Sequence, residues 1–492
     1  MRNRSLKLLT KSKFMAGLQC PRYLWIYVNE PQRIPRPDMI TQHTFDQGHE
    51  VGDLAKQLYP GGLDMAGLGF REMLSETAAR FANRKTIFEA AVQSERLYAR
   101  IDILNPSGGG GWDIIEVKSG TSVKNENIAD VAFQRYVCIQ FGIEINRCFL
   151  MHINRDFIKH GDIDPAELFI PEDITEDVAE LSGGIPDMVE NMLAVISGPC
   201  PEPVVGRLCD SPYGCPLKDE CWAAMPEHPV TSLYRIGAKM DDLLGAGVTA
   251  IVDIPSDYKL NYKQLIQRSC VECGQPHVDY DGVAAFLAAL KYPHYYMDFE
   301  TFATSIPLFD GTCPHQNIPF QFSLHTIPTE GEPLEHQQFL AQNGDDPRPD
   351  FIAALKAAMG KGGSVVVYNQ SFEEGVLKKL VEAFPEYADW VDDVVARMVD
   401  LIVPFRAFHY YHPAQHGSAS LKYVMPALTG IGYDDLNISN GQIASLFFFK
   451  AAFSDQMLEE EKTQTFTDLI EYCGQDTEGM VRIIERLREL TE

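Results

Sequence analysis

Two stretches of this chain place acids two residues apart in apolar surroundings, the spacing that brings side chains onto one face of a β-strand. In the first, Asp102 lies within LYARIDIL, and Glu116 and Lys118 lie within WDIIEVKSG. Hydrolysis of a phosphodiester needs carboxylates to hold one or two divalent ions and benefits from a cation beside the attacking water. Glu116 and Lys118 share a face, so two acids and one lysine could converge. An upstream acid, Glu89 in FEAAV, is placed to add a ligand or to orient a metal-bound water. An EVK alone is usually a solvated face, but a charge inside an otherwise apolar run is costly unless an ion or partner compensates it.

The second stretch is MDFETF, with Asp298 and Glu300 on one face of a predicted strand. Near the other end YCGQDT sets Tyr472 four residues before Asp476, so on a helix both face the same way. Between them SVVVYNQSFEEGVL reads as a strand running into a helix, with Asn369 and Glu373 at the turn. Such acids could bind two metals for in-line attack on a phosphate.

Eleven cysteines in 492 residues are too sparse for a disulfide scaffold, so clustered ones read as metal ligands. Cys209, Cys215 and Cys221 recur every six residues in a proline-containing loop. Iron-sulfur clusters and structural zinc both want four thiolates, so a fourth must come from elsewhere. Cys200 would make a local zinc site, and buried free thiols are the remaining alternative. Cys270 and Cys273 form a CVEC pair without a second pair, read as a structural loop; His409, His412 and His416 in HYYHPAQH are read as surface.

The elements that must carry these residues follow from periodicity. LYARIDIL and WDIIEVKSG, joined by PSGGGG, read as a hairpin. NIADVAFQRYVCIQFG has helical spacing and stops at Gly142, and INRCFLMHINRD reads as a further strand. Residues 157–290 are proline-rich and mixed, with LYRIGAKMDDLLGAGVTAIVDIP as two short helices around a glycine turn. From 291 a new alternation of strands and helices begins, closing on a helix near 465–490, which implies a second α/β domain. The expected organisation is 1–228, a helical connector 229–290, and 291–492.

A net charge of -27 argues against coating nucleic acid by bulk electrostatics. A local strip can still guide a phosphate backbone: residues 1–36 hold Arg2, Arg4, Lys7, Lys11, Lys13, Arg22, Arg33 and Arg36 against the single acid Glu30. No segment approaches the roughly 20 apolar residues of a membrane span, and MRNRSLKLLTKSK lacks the apolar core of a signal peptide. A cytoplasmic protein without a membrane partner is expected.

Residues 8–225 resemble the PD-(D/E)XK nucleases of the RecB-like branch. The likeness is carried by LTKSKFMAGLQCPRYLWIYV, Glu89, Asp102, the EVK at Glu116 to Lys118, and Gln134 with Tyr136. It implies that Asp102 and Glu116 bind Mg2+ or Mn2+, that Lys118 positions the water, and that Gln134 and Tyr136 support the site. The same branch includes iron-sulfur exonucleases with one cysteine before the nuclease core and three after it. By that likeness Cys20, Cys209, Cys215 and Cys221 would hold a 4Fe-4S cluster.

Residues 292–490 resemble the DnaQ-like, DEDD-type exonucleases of the RNase H-like fold. That likeness implies Asp298, Glu300 and Asp476 as metal ligands and Tyr472 as the residue orienting the water. Glu373 stands where the family usually has Asp, Asp400 is a further candidate, and SLKYV at Ser420 to Val424 corresponds to a basic substrate-facing segment. The expected fold is therefore α/β, a restriction-endonuclease-like domain followed by an RNase H-like domain. The whole resembles bacterial RecB-family nucleases with a carboxy-terminal domain of unknown function. It implies a Mg2+/Mn2+-dependent nuclease on single-stranded or end-bearing DNA. The alternatives are an RNA-processing 3' to 5' exonuclease and a non-catalytic nucleic-acid binding protein.

Overall fold

The computed structural model describes residues 7–454 and 457–492, so Arg2 and Arg4 of the basic strip lie outside the described residues. The protein is mixed α/β and divides into two compact units, one reaching to Ala224 and taking in Thr304–His315, the other Met225–Ala303 with Gln316–Glu492. Among the described residues no helix is long and apolar enough to cross a membrane.

The first unit is built on a seven-stranded sheet of β1 (Leu9–Thr10), β2 (Leu63–Asp64), β3 (Ile87–Ser94), β4 (Leu97–Pro106), β5 (Trp112–Lys118), β6 (Ile145–Ile153) and β7 (Phe169–Asp173). Strands β2 to β7 lie in chain order, and β1 adds in parallel to β4. The β4–β5 hairpin pairs Ile103 with Ile115, which sets Asp102 opposite Glu116. Helix Asn125–Phe141 crosses from β5 to the parallel β6, and its Val131, Phe133 and Val137 bury against Ile114. Phe14 of helix Lys11–Gln19 stacks on Phe133 at 4.6 Å, fixing that helix to the crossover helix.

Residues 304–315 fall outside the expected 291–492 domain because their backbone is satisfied within the first unit. Asp310 accepts from Lys159 Nζ at 2.9 Å and Gly161 N at 3.0 Å, and Ser305 N donates to Gln47 Oε1 at 2.9 Å.

The second unit contains β8 (His277–Val278), β9 (His294–Phe302), β10 (Ile318–Ile327), β11 (Glu335–Leu340), β12 (Ser364–Val367), β13 (Met398–Asp400) and β14 (Tyr410–Tyr411). Its five-stranded sheet runs β11-β10-β9-β12-β13, with β10 antiparallel to both neighbours and β12 parallel to both of its own. Tyr295, Met297 and Phe299 of β9 bury against Phe351 and Leu355, so the alternate Asp298 and Glu300 take the opposite face, over helix Glu459–Thr491.

The stretch 229–290 belongs to this unit and does not stand apart as a connector. Its β8 pairs with β14, and helix Tyr280–Ala288 packs on helix Glu459–Thr491. Cys270 and Cys273 lie on helix Tyr262–Cys273, not in a loop, because Asn261 and Gln264 form a reciprocal cap that starts a helix there. LYRIGAKMDDLLGAGVTAIVDIP yields one α-helix, Lys239–Gly245, and one short 3-10 turn, Ile251–Asp253.

One glycine sets the position of β12 beside β9. Gly363 has φ +72°, and a Cβ there would stand 2.0 Å from Pro293 O, the carbonyl that Ser364 N meets at 3.0 Å. Gly363→Ala is expected to destabilise the protein by about 3 kcal/mol or more in urea unfolding. Gly331→Ala, at φ +81° in open space, should cost only about 1 kcal/mol. Equal losses in the two variants would show that the close approach to Pro293 is not limiting.

Candidate functional site

The hairpin register brings four predicted residues of the first unit to one place. Glu116 is 1% exposed, and its Oε1 lies 2.5 Å from Lys118 Nζ. Gln134 Nε2 donates to Glu116 Oε2 at 2.7 Å, while Asp102 Oδ2 accepts from Val117 N at 2.9 Å. Two residues not predicted for the site complete it. Lys11 Nζ stands 2.6 Å from Glu116 Oε1, and Asp130 takes Lys118 Nζ at 3.1 Å and Gln134 Nε2 at 3.0 Å. Asp130 was readable from its place one helical turn before Gln134; Lys11 carried no signal beyond the basic run.

Glu89 and Tyr136 depart from expectation. Glu89 falls across the ladder from Asp102, between the pairs 88–103 and 90–101, but with φ +54° it leaves extended backbone. Its carboxylate pairs with Arg100 Nε at 2.8 Å. Left-handed backbone at a non-glycine residue costs on the order of 1 kcal/mol, held here by the strand pairs on either side. Tyr136 is partly buried and packs against the hydrophobic core. Residues two positions apart on a helix are separated by about 200°, so Gln134 and Tyr136 cannot face the same way.

The charges explain one another. Burial alone would raise the Glu116 carboxyl, but Lys11 and Lys118 outweigh it and hold Glu116 well below the usual carboxylate range. Asp102 moves the other way: burial, then the Glu116 charge, push it up to about 7. Burial opposes the charge on Lys118 as well, yet Glu116 and Asp130 keep its ammonium protonated, so it can orient a water but not deprotonate one.

At the far end of helix Lys11–Gln19, Cys20 begins helix Pro21–Asn29. Burial raises the Cys215 thiol, and Cys20, Cys209 and Cys221 add to that rise, so these four thiols are neighbours. Gln19 Nε2 ties the loop to the helix through Leu208 O at 2.9 Å and Tyr213 O at 2.7 Å. Arg22 engages both Cys200, at 3.4 Å, and Cys221. Among the described residues no three thiols meet within 4.8 Å of one another.

In the second unit Asp298, Glu300 and Asp476 present carboxylate oxygens that all lie within 4.8 Å of one another. Glu300 and Asp476 are buried, and Asp298 opens partly to solvent. Burial, then the Asp476 charge, raises Asp298; burial, then Asp298 and Asp476, raises Glu300. Burial also pushes Asp476 up, to about 6, offset by hydrogen bonds from Tyr433 and Tyr472 and by the charge of Lys422. Tyr433 OH donates to Asp476 Oδ1 and was not predicted, since nothing in GIGYDDL marks it.

Glu373 is 1% exposed, its Oε2 has no hydrogen-bond partner, and burial with the Asp298 charge raises its carboxyl. Asp400 works on the backbone instead: its Oδ1 accepts from Asn369 N at 2.9 Å and Ile402 N at 3.1 Å. It thereby holds the turn, with Asn369 at φ +77°, that starts helix Ser371–Ala383 and places Glu373. His409 pairs with Asp279 at 2.8 Å and His412 accepts from Ala414 N at 3.1 Å, so these histidines serve local structure.

Comparison with known proteins adds little chemistry. A family described as a domain of unknown function (DUF2779) matches residues 295–420. An uncharacterised protein of Mycoplasma pneumoniae, the MG366 homologue, is 26% identical over 214 residues, 39% of this chain and 32% of its own length. The uncharacterised protein UU173 of Ureaplasma parvum is 25% identical over 235 residues, 43% of this chain and 34% of its own. The chain thus spans about a third of the length of the curated relatives it matches. The crystal structure of SSO0001 aligns with a TM-score of 0.17 and 16% identity over 40% of this chain and 81% of that one.

A carboxyl whose folded value is raised stabilises below its unfolded value, and that contribution is lost as pH rises through the folded one. For Asp102 the window runs from about 4 to about 7. In EDTA, Asp102→Asn should therefore gain stability over the wild type as pH rises from 5 to 8, by about 2 kcal/mol. Parallel melting curves for the two proteins across that range would show that Asp102 is not held protonated.

Proposed function

We propose that this protein is a divalent-metal-dependent nuclease acting on single-stranded or end-bearing DNA, with a PD-(D/E)XK-type centre in the first unit and a DEDD-type centre on an RNase H-like second unit. The observation that carries the reading is the convergence of Asp298, Glu300 and Asp476, with carboxylate oxygens mutually within 4.8 Å. Acids brought so close from β9 and helix Glu459–Thr491 repel one another in a low-dielectric site, and hard cations with oxygen ligands relieve that repulsion. Glu373, with its unsatisfied buried oxygen, is the further acid such a site uses.

In this reading Asp298, Glu300 and Asp476 hold Mg2+ or Mn2+, with Glu373 beside them. The bound ion supplies charge stabilisation and an activated water. Tyr433 fixes the rotamer of Asp476, and Tyr472, one helical turn before Asp476, orients the attacking water. Lys422, whose charge reaches Asp476 and Glu300, faces where a phosphate would arrive. In the first unit Asp102 and Glu116 are the ligands, Lys118 holds the water, and Gln134 fixes the Glu116 rotamer.

In this reading Cys20, Cys209, Cys215 and Cys221, which neighbour one another, hold a 4Fe-4S cluster, taken over zinc on the resemblance to the iron-sulfur exonucleases. Arg22 beside Cys221 offsets thiolate charge.

With Mn2+ and labelled single-stranded DNA and RNA, the wild type is expected to cut DNA, and Asp298→Ala to lower that rate by about 100-fold or more. Lys118→Ala should remove only the activity of the first centre. Cutting of neither nucleic acid would overturn the nuclease reading, and cutting confined to RNA would move the substrate. The purified protein should also be brown, with broad absorbance near about 400 nm that Cys215→Ser abolishes. A colourless protein carrying one zinc would overturn the iron assignment.

A further inference from the structure

The first centre holds one more cation than its expected chemistry uses. Lys118 Nζ lies 2.5 Å from Glu116 Oε1 and 3.1 Å from Asp130 Oδ2. Lys11 Nζ takes the same two oxygens at 2.6 Å and 3.6 Å. Two ammonium groups on one carboxylate oxygen repel each other, so their joint presence makes sense only because three acids, Asp102, Glu116 and Asp130, crowd the same pocket.

Lys11 is delivered there by a well-anchored element. Leu9 N donates to Arg96 O at 2.8 Å and pairs β1 with β4, Thr10 Oγ1 caps the helix through Lys13 N at 3.4 Å, and Gln19 pins its other end. The backbone under Lys11 is therefore fixed, while its side chain keeps a route outward, with 25% of it exposed.

We propose that Lys11 is a resident counter-cation of the first centre, holding at Glu116 the place of a divalent ion and leaving that place when the ion binds. This rests on the reading of the first centre as a metal site. The charge count supplies the reason. Three acids face two lysines, and a divalent ion added to both lysines would leave an excess of positive charge in a buried pocket, so one cation must go. Lys118 is the poorer candidate to leave, since its Nζ meets both Glu116 Oε1 at 2.5 Å and Asp130 Oδ2 at 3.1 Å, whereas Lys11 comes within hydrogen-bonding distance of Glu116 alone, at 2.6 Å against 3.6 Å to Asp130. Lys11 sits in the first turn of its helix, where four methylenes can carry the ammonium to solvent without moving backbone.

An internal counter-cation has a definite purpose. It keeps Glu116 ionised and in its binding rotamer without metal, avoiding an unpaired buried charge, and it lowers affinity for the ion by direct competition. Removing it should tighten metal binding, whereas removing a group that helps hold the metal would weaken it.

The test uses the full chain carrying Asp298→Asn and Asp476→Asn, so that Mn2+ reports the first centre only, with free Mn2+ followed by electron paramagnetic resonance at neutral pH. Lys11→Met, of similar length but uncharged, is expected to bind Mn2+ roughly tenfold more tightly than the parent, equal to about 1.4 kcal/mol. Lys11→Arg, which keeps the cation, should stay near the parent. Lys11→Gln gives a second uncharged variant should Lys11→Met fail to fold. Mn2+ bound equally or more weakly by the uncharged variants would overturn the role of Lys11 and leave the metal site standing. Mn2+ bound by neither parent nor variants would overturn the metal reading of the first centre, and the proposal with it.

Discussion

Carboxylates brought together out of water repel one another and lose their hydration, and every other feature around the two centres compensates that cost. The two units solve it differently. In the first, Lys11 and Lys118 neutralise Glu116 and Asp130 directly, at 2.5 to 3.6 Å. In the second, protons and hydroxyls take that part: Asp298, Glu300 and Glu373 are all raised by burial and by one another, and Tyr433 donates to Asp476. On the proposed reading, a divalent ion would displace the Lys11 side chain from the first centre and hydrogen ions from the second.

The scaffolds match these demands. Glu116 sits on β5, between β4 and β6, and Asp298 and Glu300 sit on β9, between β10 and β12, where backbone hydrogen bonds resist the mutual repulsion. Apolar packing on the other face of β9, through Tyr295, Met297 and Phe299, commits its acids to the side of helix Glu459–Thr491. Left-handed backbone at non-glycine residues stands beside both centres, at Glu89 (φ +54°) within β3 and at Asn369 (φ +77°) in the turn before helix Ser371–Ala383. Asp400 shows how such a turn is held, by two backbone N–H groups on one carboxylate oxygen.

Helix Lys11–Gln19 joins the chemistry of the first unit along its length. Lys11 at its start meets the acids, Phe14 in its middle stacks on the helix that supplies Gln134, and Gln19 and Cys20 at its end meet the thiol loop. Removing the thiol loop's hold would therefore be felt at the acidic centre through a rigid element of nine residues.

The sequence by itself determined whatever depends on local periodicity. Asp298 and Glu300 share a strand face, Glu116 and Lys118 share another, Tyr472 and Asp476 share a helix face, and PSGGGG turns β4 back onto β5, because periods of 2 and 3.6 are properties of the backbone. The same periodicity, applied strictly, separates Gln134 from Tyr136. Only the tertiary structure decided which distant groups answer these charges: Lys11 for Glu116 and Asp130, Tyr433 for Asp476, and Arg100 for Glu89, and it alone brings Cys20 beside Cys209, Cys215 and Cys221. Those choices depend on strand register and on how helices are rotated against the sheets. Both are fixed by apolar packing summed over many residues, which no short motif encodes.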